Sequence, residues 1–296
     1  MVGVIGTERE AARQDPAAED RFVRVDVGGA VMQCRTCGSG PLLVLLHGMG
    51  RTGADWAEQH DRLTAGHRVV SMDLPGFGGS DRLPPPTTLT ALAGAVWRTL
   101  DALAQDGPAV LVGNSLGGAV AMQASLDRPD RCRGLVLLSS AGFGRRTTAG
   151  LRLAAVPGLG RALLAPHPSV AARVERAQFH DPALATPARV RTALTAAEAP
   201  WAASVFGEVL HDLGDWRGVR GPWRRALLTK VAAAALPTLL VWGARDRILP
   251  AAHLAAAAAA LPHATTRLLP DCGHMPQIER PDEVAALVAD FVAELP

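Results

Sequence analysis

A short apolar run that ends in Gly113-x-Ser115-x-Gly117 and passes directly into a helix-forming run constrains this chain more than any other feature. Residues 108–112 are apolar, and residues 119–124 favour a helix. The two glycines keep Cβ atoms out of a crowded turn, so the Ser115 hydroxyl would stand at the tip of that turn. The pattern therefore predicts a strand, a tight turn and a helix, with a nucleophilic serine on the turn.

Composition and charge limit the classes of protein to which this chain can belong. Its 296 residues are 48% hydrophobic and 20% charged, which suits one large domain, or a domain with an insertion, and excludes a disordered chain. The net charge of +2 is too small to indicate nucleic acid or an acidic membrane surface as the main partner. We expect a small-molecule substrate and no nucleic-acid partner, and the oligomeric state stays open.

The N-terminus and the cysteines bear on location. The first ten residues lack the basic and apolar segments of a secretory signal, and no apolar run reaches the length of a bilayer. Four cysteines show no disulfide framework, and Cys34-x-x-Cys37 has no second Cys/His pair at zinc spacing. We therefore predict a cytoplasmic protein without a membrane span, a metal or a redox motif, and a loose tail over residues 1–20.

Strand-like and helix-like runs alternate along most of the chain. Residues 22–27 and 31–35 alternate around Gly28-Gly29 and predict a β-hairpin. The further predicted strands are 42–46, 68–73, 108–112, 134–138, 238–242 and 265–269, and the clearest predicted helices are 88–104 and 281–291. This alternation predicts an α/β fold whose mostly parallel central sheet is covered by helices on both faces.

Between residues 144 and 236 the pattern changes to Ala/Leu/Arg-rich helices interrupted by prolines. We interpret this block as a helical cap, inserted after one strand and placed over the C-terminal edge of the sheet. The core is then 21–143 together with 237–296. We interpret the four clustered arginines of the cap as a solvent-exposed face and not as a binding site for a substrate carboxylate. They are Arg217, Arg220, Arg224 and Arg225. We expect the aromatic residues of the cap to form its apolar core more often than to line a substrate pocket. They are Trp201, Phe206, Trp216 and Trp223.

A nucleophilic serine needs a base, and in folds with this serine turn the histidine comes last in the chain. His274 lies in a loop directly after the predicted strand 265–269, where catalytic groups gather at the C-terminal edge of a sheet. His253 lies in an alanine-rich helical run and His263 precedes a strand, so we expect both at the surface. His274 is the predicted base.

The acid that orients the base should also follow a strand. Asp246 comes directly after strand 238–242, whereas Asp271 is only three residues from His274 and is expected to shape that loop. The other position such folds sometimes use, after strand 134–138, offers only Ser139 and Ser140. Asp246 is the predicted acid.

Five segments, in this order and on these elements, resemble the α/β-hydrolase superfamily. They are HGMG (47–50), DLPGFGGSD (73–81), GNSLGG (113–118), WGARD (242–246) and GHMPQIERP (273–281). The resemblance implies an α/β-hydrolase fold with a Ser115, Asp246 and His274 triad and no cofactor. It also implies an oxyanion hole made by two backbone N–H groups, those of Met49 and Leu116, and a supporting role for the loop residues His47 and Gly48.

The resemblance implies a serine hydrolase that cleaves an ester, or a related acyl bond, in a moderately sized and largely apolar substrate. The alternative is a C–C bond hydrolase of meta-ring-fission diketone acids. Those enzymes usually have a longer glycine-rich oxyanion loop and often tryptophan after the catalytic histidine, where this chain has Met49-Gly50 and Met275. Ser115 argues against the relatives that use aspartate as nucleophile. A non-catalytic ligand-binding protein on the same fold is the third hypothesis.

Overall fold

The computed structural model describes residues 19–156 and 165–296. The predicted tail over residues 1–20 lies almost wholly outside the described residues. The described chain begins with a hairpin in which β1 (Arg21–Asp26) pairs antiparallel with β2 (Val31–Cys37). The hairpin predicted from alternation and from the glycine pair is therefore confirmed.

The described residues form a central sheet of eight strands with the order β1-β2-β4-β3-β5-β6-β9-β10. Beyond the hairpin, its strands are β3 (Leu42–Leu46), β4 (Arg68–Met72), β5 (Ala109–Asn114), β6 (Cys132–Leu138), β9 (Thr238–Gly243) and β10 (Thr265–Leu269). From β4 to β10 all neighbouring strands are parallel, and only the two pairings of β2 are antiparallel. The continuous apolar runs of β3, β5, β6 and β9 are buried on both faces, as is usual for parallel strands, whereas the edge strand β10 is largely exposed. The predicted strands are confirmed to within one or two residues.

The described helices include those that cover both faces of this sheet and those of a block between β6 and β9. They are α1 (Ala57–Leu63), α2 (Leu89–Ala102), α3 (Leu116–Asp127), α4 (Ala149–Ala154), α5 (Pro168–Gln178), α6 (Pro187–Glu198), α7 (Ala202–Leu213), α8 (Gly221–Ala234), α9 (Ala252–Ala260), α10 (Pro276–Glu279) and α11 (Pro281–Ala293). One apolar core joins α2, α3, α8 and α9 to one face, and a second joins α1 and α11 to the other. The predicted α/β architecture is confirmed. Within the described ranges, no helix has both the length and the apolar character needed to cross a membrane.

The helical block between β6 and β9 contains α4 to α8 and a two-stranded ribbon, β7 (Gly214–Asp215) and β8 (Gly218–Val219). Pro168, Pro187 and Pro222 begin helices rather than interrupt them, because the first turn of a helix tolerates a missing N–H. The block contacts the loops that follow β3, β4 and β10. It therefore lies over the carboxyl edge of the sheet.

Two carboxylates on one side of α7 fix this helix to the core. Glu208 accepts a 2.8 Å hydrogen bond from the Thr87 N–H and one of 2.8 Å from Arg82. Asp212 accepts a 2.8 Å hydrogen bond from the Leu89 N–H, which is in the first turn of α2 and lacks an intrahelical acceptor. These contacts stabilise the position of α7 relative to the sheet.

Candidate active site

Ser115 lies on the sharp turn between β5 and α3. Its backbone has φ 55° and ψ −115°, a conformation that is costly for a residue with a Cβ atom. A Cβ atom on Gly113 would overlap the backbone of Gly117, and one on Gly117 would overlap the carbonyl of Leu46. Both glycines of the motif are therefore required by close approach of the backbone, and the turn matches the predicted strand–turn–helix.

The structure brings Asp246 and His274 together in a buried pair. The Nδ1 atom of His274 is 2.8 Å from Oδ2 of Asp246, and their side chains are 3% and 0% exposed. The other oxygen of Asp246 accepts hydrogen bonds from the N–H groups of Ile248 (2.8 Å) and Leu249 (2.9 Å). Because the carboxylate accepts at Nδ1, that nitrogen carries the proton, and Nε2 keeps a free lone pair.

Asn114 connects the histidine to the serine turn. Its side-chain amide donates to the carbonyl of His274 (3.0 Å) and to that of Leu138 (3.1 Å). The residue before Ser115 therefore holds the backbone of His274. Within the described ranges the Ser115 hydroxyl has no hydrogen-bond partner, and such contacts often tighten only when a substrate binds.

The His47-Gly48 turn lies directly beside Ser115. A Cβ atom on Gly48 would be 3.3 Å from the Cβ of Ser115. The Nε2 atom of His47 accepts a 2.8 Å hydrogen bond from the Leu74 N–H, and its Nδ1 atom is 2.7 Å from the Gly48 carbonyl, to which it donates. Burial lowers the pKa of His47, so the ring is neutral and can make both contacts. This geometry fixes the turn that leads into Met49.

The two predicted oxyanion N–H groups belong to segments that are distant in sequence. Leu116 is the first residue of α3, and the N–H groups of a first helical turn have no intrahelical acceptor. Met49 follows the turn fixed by His47, and Met49 and Phe206 of α7 pack against the same cluster of Ala154, Ala155 and Leu210. A helix N-terminus also favours negative charge, which suits a site where an oxyanion forms.

The other candidate histidines and Asp271 lie outside this pair. His263 is exposed, as expected. The prediction that His253 lies at the surface is wrong: it is 5% exposed, and its ring packs edge-on to Trp242 with centroids 6.1 Å apart. Its helix, α9, turns its first residues inward against β9, which an alanine-rich sequence without periodicity does not reveal. Asp271 is exposed and lies 3.8 Å from the Arg245 Nε.

A buried charge cluster that the sequence patterns did not predict lies beside the Met49 loop. The Arg51 guanidinium donates to both oxygens of Asp55 (2.8 and 2.6 Å) and to both oxygens of Glu175 on α5. Burial lowers the pKa of Arg51, but the two carboxylates outweigh this effect and the net pKa is raised. Arg51 is therefore charged and fully paired. Arg51 directly follows the HGMG segment, which indicates a place near the site, but its partner Glu175 is distant in sequence and could not be predicted.

Neither Cys34 nor the cleft between β2 and α6 contributes to this site. Burial raises the pKa of Cys34 on β2 to about 12, so it is a thiol rather than a reactive thiolate. Over the part of the chain that the structure describes, no group of three or more His, Cys, Asp or Glu residues could hold a metal ion. A cleft of about 760 Å³ between β2 and α6 is lined by Gln33, Asp73 and Arg191, among others, and not by the Ser115, Asp246 or His274 side chains.

Comparison with known proteins identifies the family. The family model for the alpha/beta hydrolase fold matches residues 41–281. The chain is 33% identical over 281 residues to the dihydrolipoyllysine-residue acetyltransferase component of an acetoin cleaving system from Cupriavidus necator, covering 94% of this chain and 70% of that protein. The chain therefore belongs to the α/β-hydrolase family, and it is a hydrolase of that family.

Two further similarities cover nearly the whole chain. A 2-hydroxy-6-oxononadienedioate/2-hydroxy-6-oxononatrienedioate hydrolase from Klebsiella pneumoniae is 26% identical over 298 residues, which is 95% of this chain and 98% of that protein. The crystal structure of a serine hydrolase involved in carbazole degradation aligns with a TM-score of 0.78 at 22% identity, covering 93% of this chain and 99% of that one. At that identity the structural likeness supports the fold alone.

Proposed function

We propose that this protein is a serine hydrolase in which Ser115, Asp246 and His274 form the catalytic triad. The observation that carries the proposal is the buried Asp246–His274 pair, which Asn114 holds beside the strained turn of Ser115. Nε2 of His274 is left to accept the serine proton, and Asp246 holds the ring in that tautomer.

The proposed reaction proceeds through an acyl-enzyme. Ser115 attacks the carbonyl carbon while His274 takes its proton, and the Met49 and Leu116 N–H groups stabilise the oxyanion. His274 then returns the proton to the leaving group. Water, activated by the same histidine, releases the acid and regenerates the serine. No step needs a metal or an organic cofactor.

We infer that the helical block 144–236 is a cap that supplies much of the acyl pocket. Phe206 supports this role, because its Cε2 atom would be 3.1 Å from a Cβ atom on Gly50, and because Phe206 and Met49 pack against the same buried cluster. An aromatic ring beside the proposed oxyanion loop forms an apolar wall, as small-molecule pockets usually have. The substrate class we propose is therefore an ester, or related acyl compound, of moderate size with an apolar acyl group.

A C–C bond hydrolase is the second candidate. The similarity to the Klebsiella pneumoniae hydrolase over nearly the full length of both chains favours it. Both reactions could use the same triad, since each needs a nucleophile or activated water, a base and an oxyanion hole. The bond that is cleaved separates the two candidates.

Two assays test these proposals. Labelling with a fluorophosphonate should modify Ser115 in the wild type and not in Ser115→Ala. A panel of p-nitrophenyl esters of rising acyl length, assayed beside a meta-ring-fission product, should give its highest kcat/KM with an ester. If the ring-fission product is cleaved far faster than every ester, the C–C hydrolase replaces the esterase. A folded wild type that resists labelling and cleaves neither substrate would be a ligand-binding protein.

A further inference from the structure

We propose that the end of cap helix α5, with the two residues after it, is a positioning element for His274, and that Glu279 is the side chain through which it acts. The inference rests on the proposed hydrolase chemistry and adds residues outside the triad. The N–H of His274 donates a 2.8 Å hydrogen bond to the carbonyl of Gln178, the last residue of α5. The backbone of the proposed base is therefore held directly by the helical block.

Glu279 binds the backbone on both sides of His274 and also the segment that follows α5. Its Oε1 accepts from the N–H groups of Gly273 (2.9 Å) and Met275 (3.2 Å), the two neighbours of His274. Its Oε2 accepts a 2.7 Å hydrogen bond from the N–H of His180 in the block. One carboxylate thus fixes the loop before and after the base and connects it to the segment that follows α5.

The contact between the two segments is close and largely buried. A Cβ atom on Gly273 would lie 2.6 Å from the His180 nitrogen and 2.8 Å from the Gln178 oxygen, so this approach requires glycine. Phe179 is 1% exposed and packs against Met275. Burial raises the pKa of Glu279, while its three backbone N–H donors oppose that shift. Each backbone N–H in this buried contact needs a carboxylate oxygen as its acceptor, because a buried N–H without a hydrogen bond destabilises the fold.

The same helix is fixed to the other half of the site. Glu175, three residues before Gln178, makes the buried ion pair with Arg51, and the Arg51 N–H donates to the carbonyl of Gly48 (3.2 Å). One helix of the block therefore contacts both the loop that carries Met49 and the loop that carries His274. Undocking of α5 would move the proposed base and the proposed oxyanion donor together.

The test compares Glu279→Gln with Asp271→Asn. Glu279→Gln keeps the shape of the side chain but puts an amide NH₂ where one oxygen accepts, so the loop loses at least one contact. We expect kcat for p-nitrophenyl acetate to fall by about 10- to 100-fold, because small misplacements of a catalytic group cost rates of that order. KM should change little, since the acyl pocket is untouched. The far-downfield proton resonance of His274 Nδ1 should shift or broaden.

Asp271→Asn is the matched control, because it removes one carboxylate charge from the same loop at an exposed position, where Arg245 Nε and His180 Nε2 each lie 3.8 Å from the carboxylate, beyond hydrogen-bond distance. It should keep kcat, KM and the resonance of the wild type. Rates are divided by the number of active sites titrated with a fluorophosphonate, so that lost folding is not counted as lost catalysis. If Glu279→Gln does not fold, Phe179→Leu tests the proposal in its place, because it loosens the packing between the segment after α5 and the His274 loop without changing a charge.

The outcomes separate this inference from the proposed function. A wild type that resists labelling and hydrolysis removes both. If the wild type is labelled and active, but folded Glu279→Gln and Phe179→Leu keep wild-type kcat per titrated site, Glu279 serves stability alone and the inference is overturned. An equal loss in Asp271→Asn would also overturn it, because the effect would then belong to loop charge.

Discussion

At the scale of single residues, the candidate site combines one strained residue with one well-supported pair. Ser115 has a positive φ, which the surrounding structure maintains. One oxygen of Asp246 accepts hydrogen bonds from two backbone N–H groups, and the other accepts one from His274. A carboxylate fixed in this way can hold the imidazole in one tautomer and one orientation. Two substitutions test the assignment of these roles.

Replacing Ser115 by alanine should leave the fold intact and lower kcat by about 10⁴- to 10⁶-fold. The reason is that the hydroxyl is the proposed nucleophile, whereas the turn itself is held by backbone contacts and by the glycines. Initial rates on the best ester and circular dichroism of both proteins measure the two effects. A folded variant within tenfold of the wild type would exclude a serine mechanism.

Asp246→Asn should lower kcat by about 10³- to 10⁴-fold, because the amide would favour the wrong imidazole tautomer. Asp271→Asn should retain nearly full activity, since Asp271 is exposed and its φ of 48° suits asparagine as well as aspartate. Steady-state kinetics of the two variants under one condition decide between the carboxylates. Equal losses, or the reverse order, would mean that Asp246 is not the acid.

At the scale of elements, periodicity and turn chemistry predicted what depends on neighbours in sequence. Buried apolar runs predicted β3 and β5, and Thr88 caps α2 within one residue of the predicted start. Contacts between segments that are distant in sequence could not be predicted from periodicity or turn residues. The bond from the His274 N–H to the Gln178 carbonyl involves backbone atoms, which carry no residue-specific signal. The packing of His253 against Trp242 depends on how α9 meets the sheet.

The aromatic residues of the helical block show the same limit. The expectation that they form its core fails for Trp216, which is 54% exposed and lies under the guanidinium of Arg217. Phe206, in contrast, lies beside Gly50 of the predicted oxyanion loop, where a Cβ atom would be 3.1 Å from its Cε2. Both are aromatic residues in helical or turn sequence, and their neighbours alone do not distinguish them. The difference comes from the docking of α7, whose Glu208 and Asp212 bind distant backbone N–H groups.

Phe206→Ala should change acyl-chain preference, because the ring borders the loop that carries Met49. Removing it enlarges the proposed pocket, so the ratio of kcat/KM for a long-chain ester to that for acetate should rise about tenfold, as a few methylene contacts would give. Trp216→Ala is the control and should leave the ratio unchanged. The measurement is a p-nitrophenyl ester series on both variants. A change in Trp216→Ala with none in Phe206→Ala would place the pocket elsewhere.

At the scale of the whole molecule, buried histidines make the fold dependent on pH. Burial lowers the pKa of His47, His60 and His253, which lie in three separate parts of the structure. His60 on α1 is bonded to the Ser71 hydroxyl (2.8 Å), and its pKa is lowered to about 4. Since the unfolded chain binds protons at these positions before the folded one does, acid stabilises the unfolded state.

The free energy of unfolding should therefore be fully retained above the ordinary histidine pKa of about 6.5 and should fall as the pH drops from there towards 4. His60 alone should contribute a loss of about 3 kcal/mol over this interval. Urea unfolding at pH 7.5, 6, 5 and 4.5 should show a smaller loss in His60→Gln than in the wild type. The exposed His263→Gln should follow the wild type. Parallel curves for all three proteins would contradict the assignment.

The pairing of β6 with β9 has a consequence for engineering. The two strands are parallel and Leu135 lies opposite Thr238, so the helical block leaves the sheet at the carboxyl end of β6 and returns at the amino end of the neighbouring strand β9. A replacement segment of different length that keeps α8, the helix that leads back into β9, preserves this crossover, and the entropy of closing a loop grows slowly, by about 0.6 kcal/mol for each doubling of its length. The block is therefore suited to exchange as a module between related hydrolases. Chimeras that keep 175–180 would retain the contacts to Arg51 and His274, so the graft should join outside that segment.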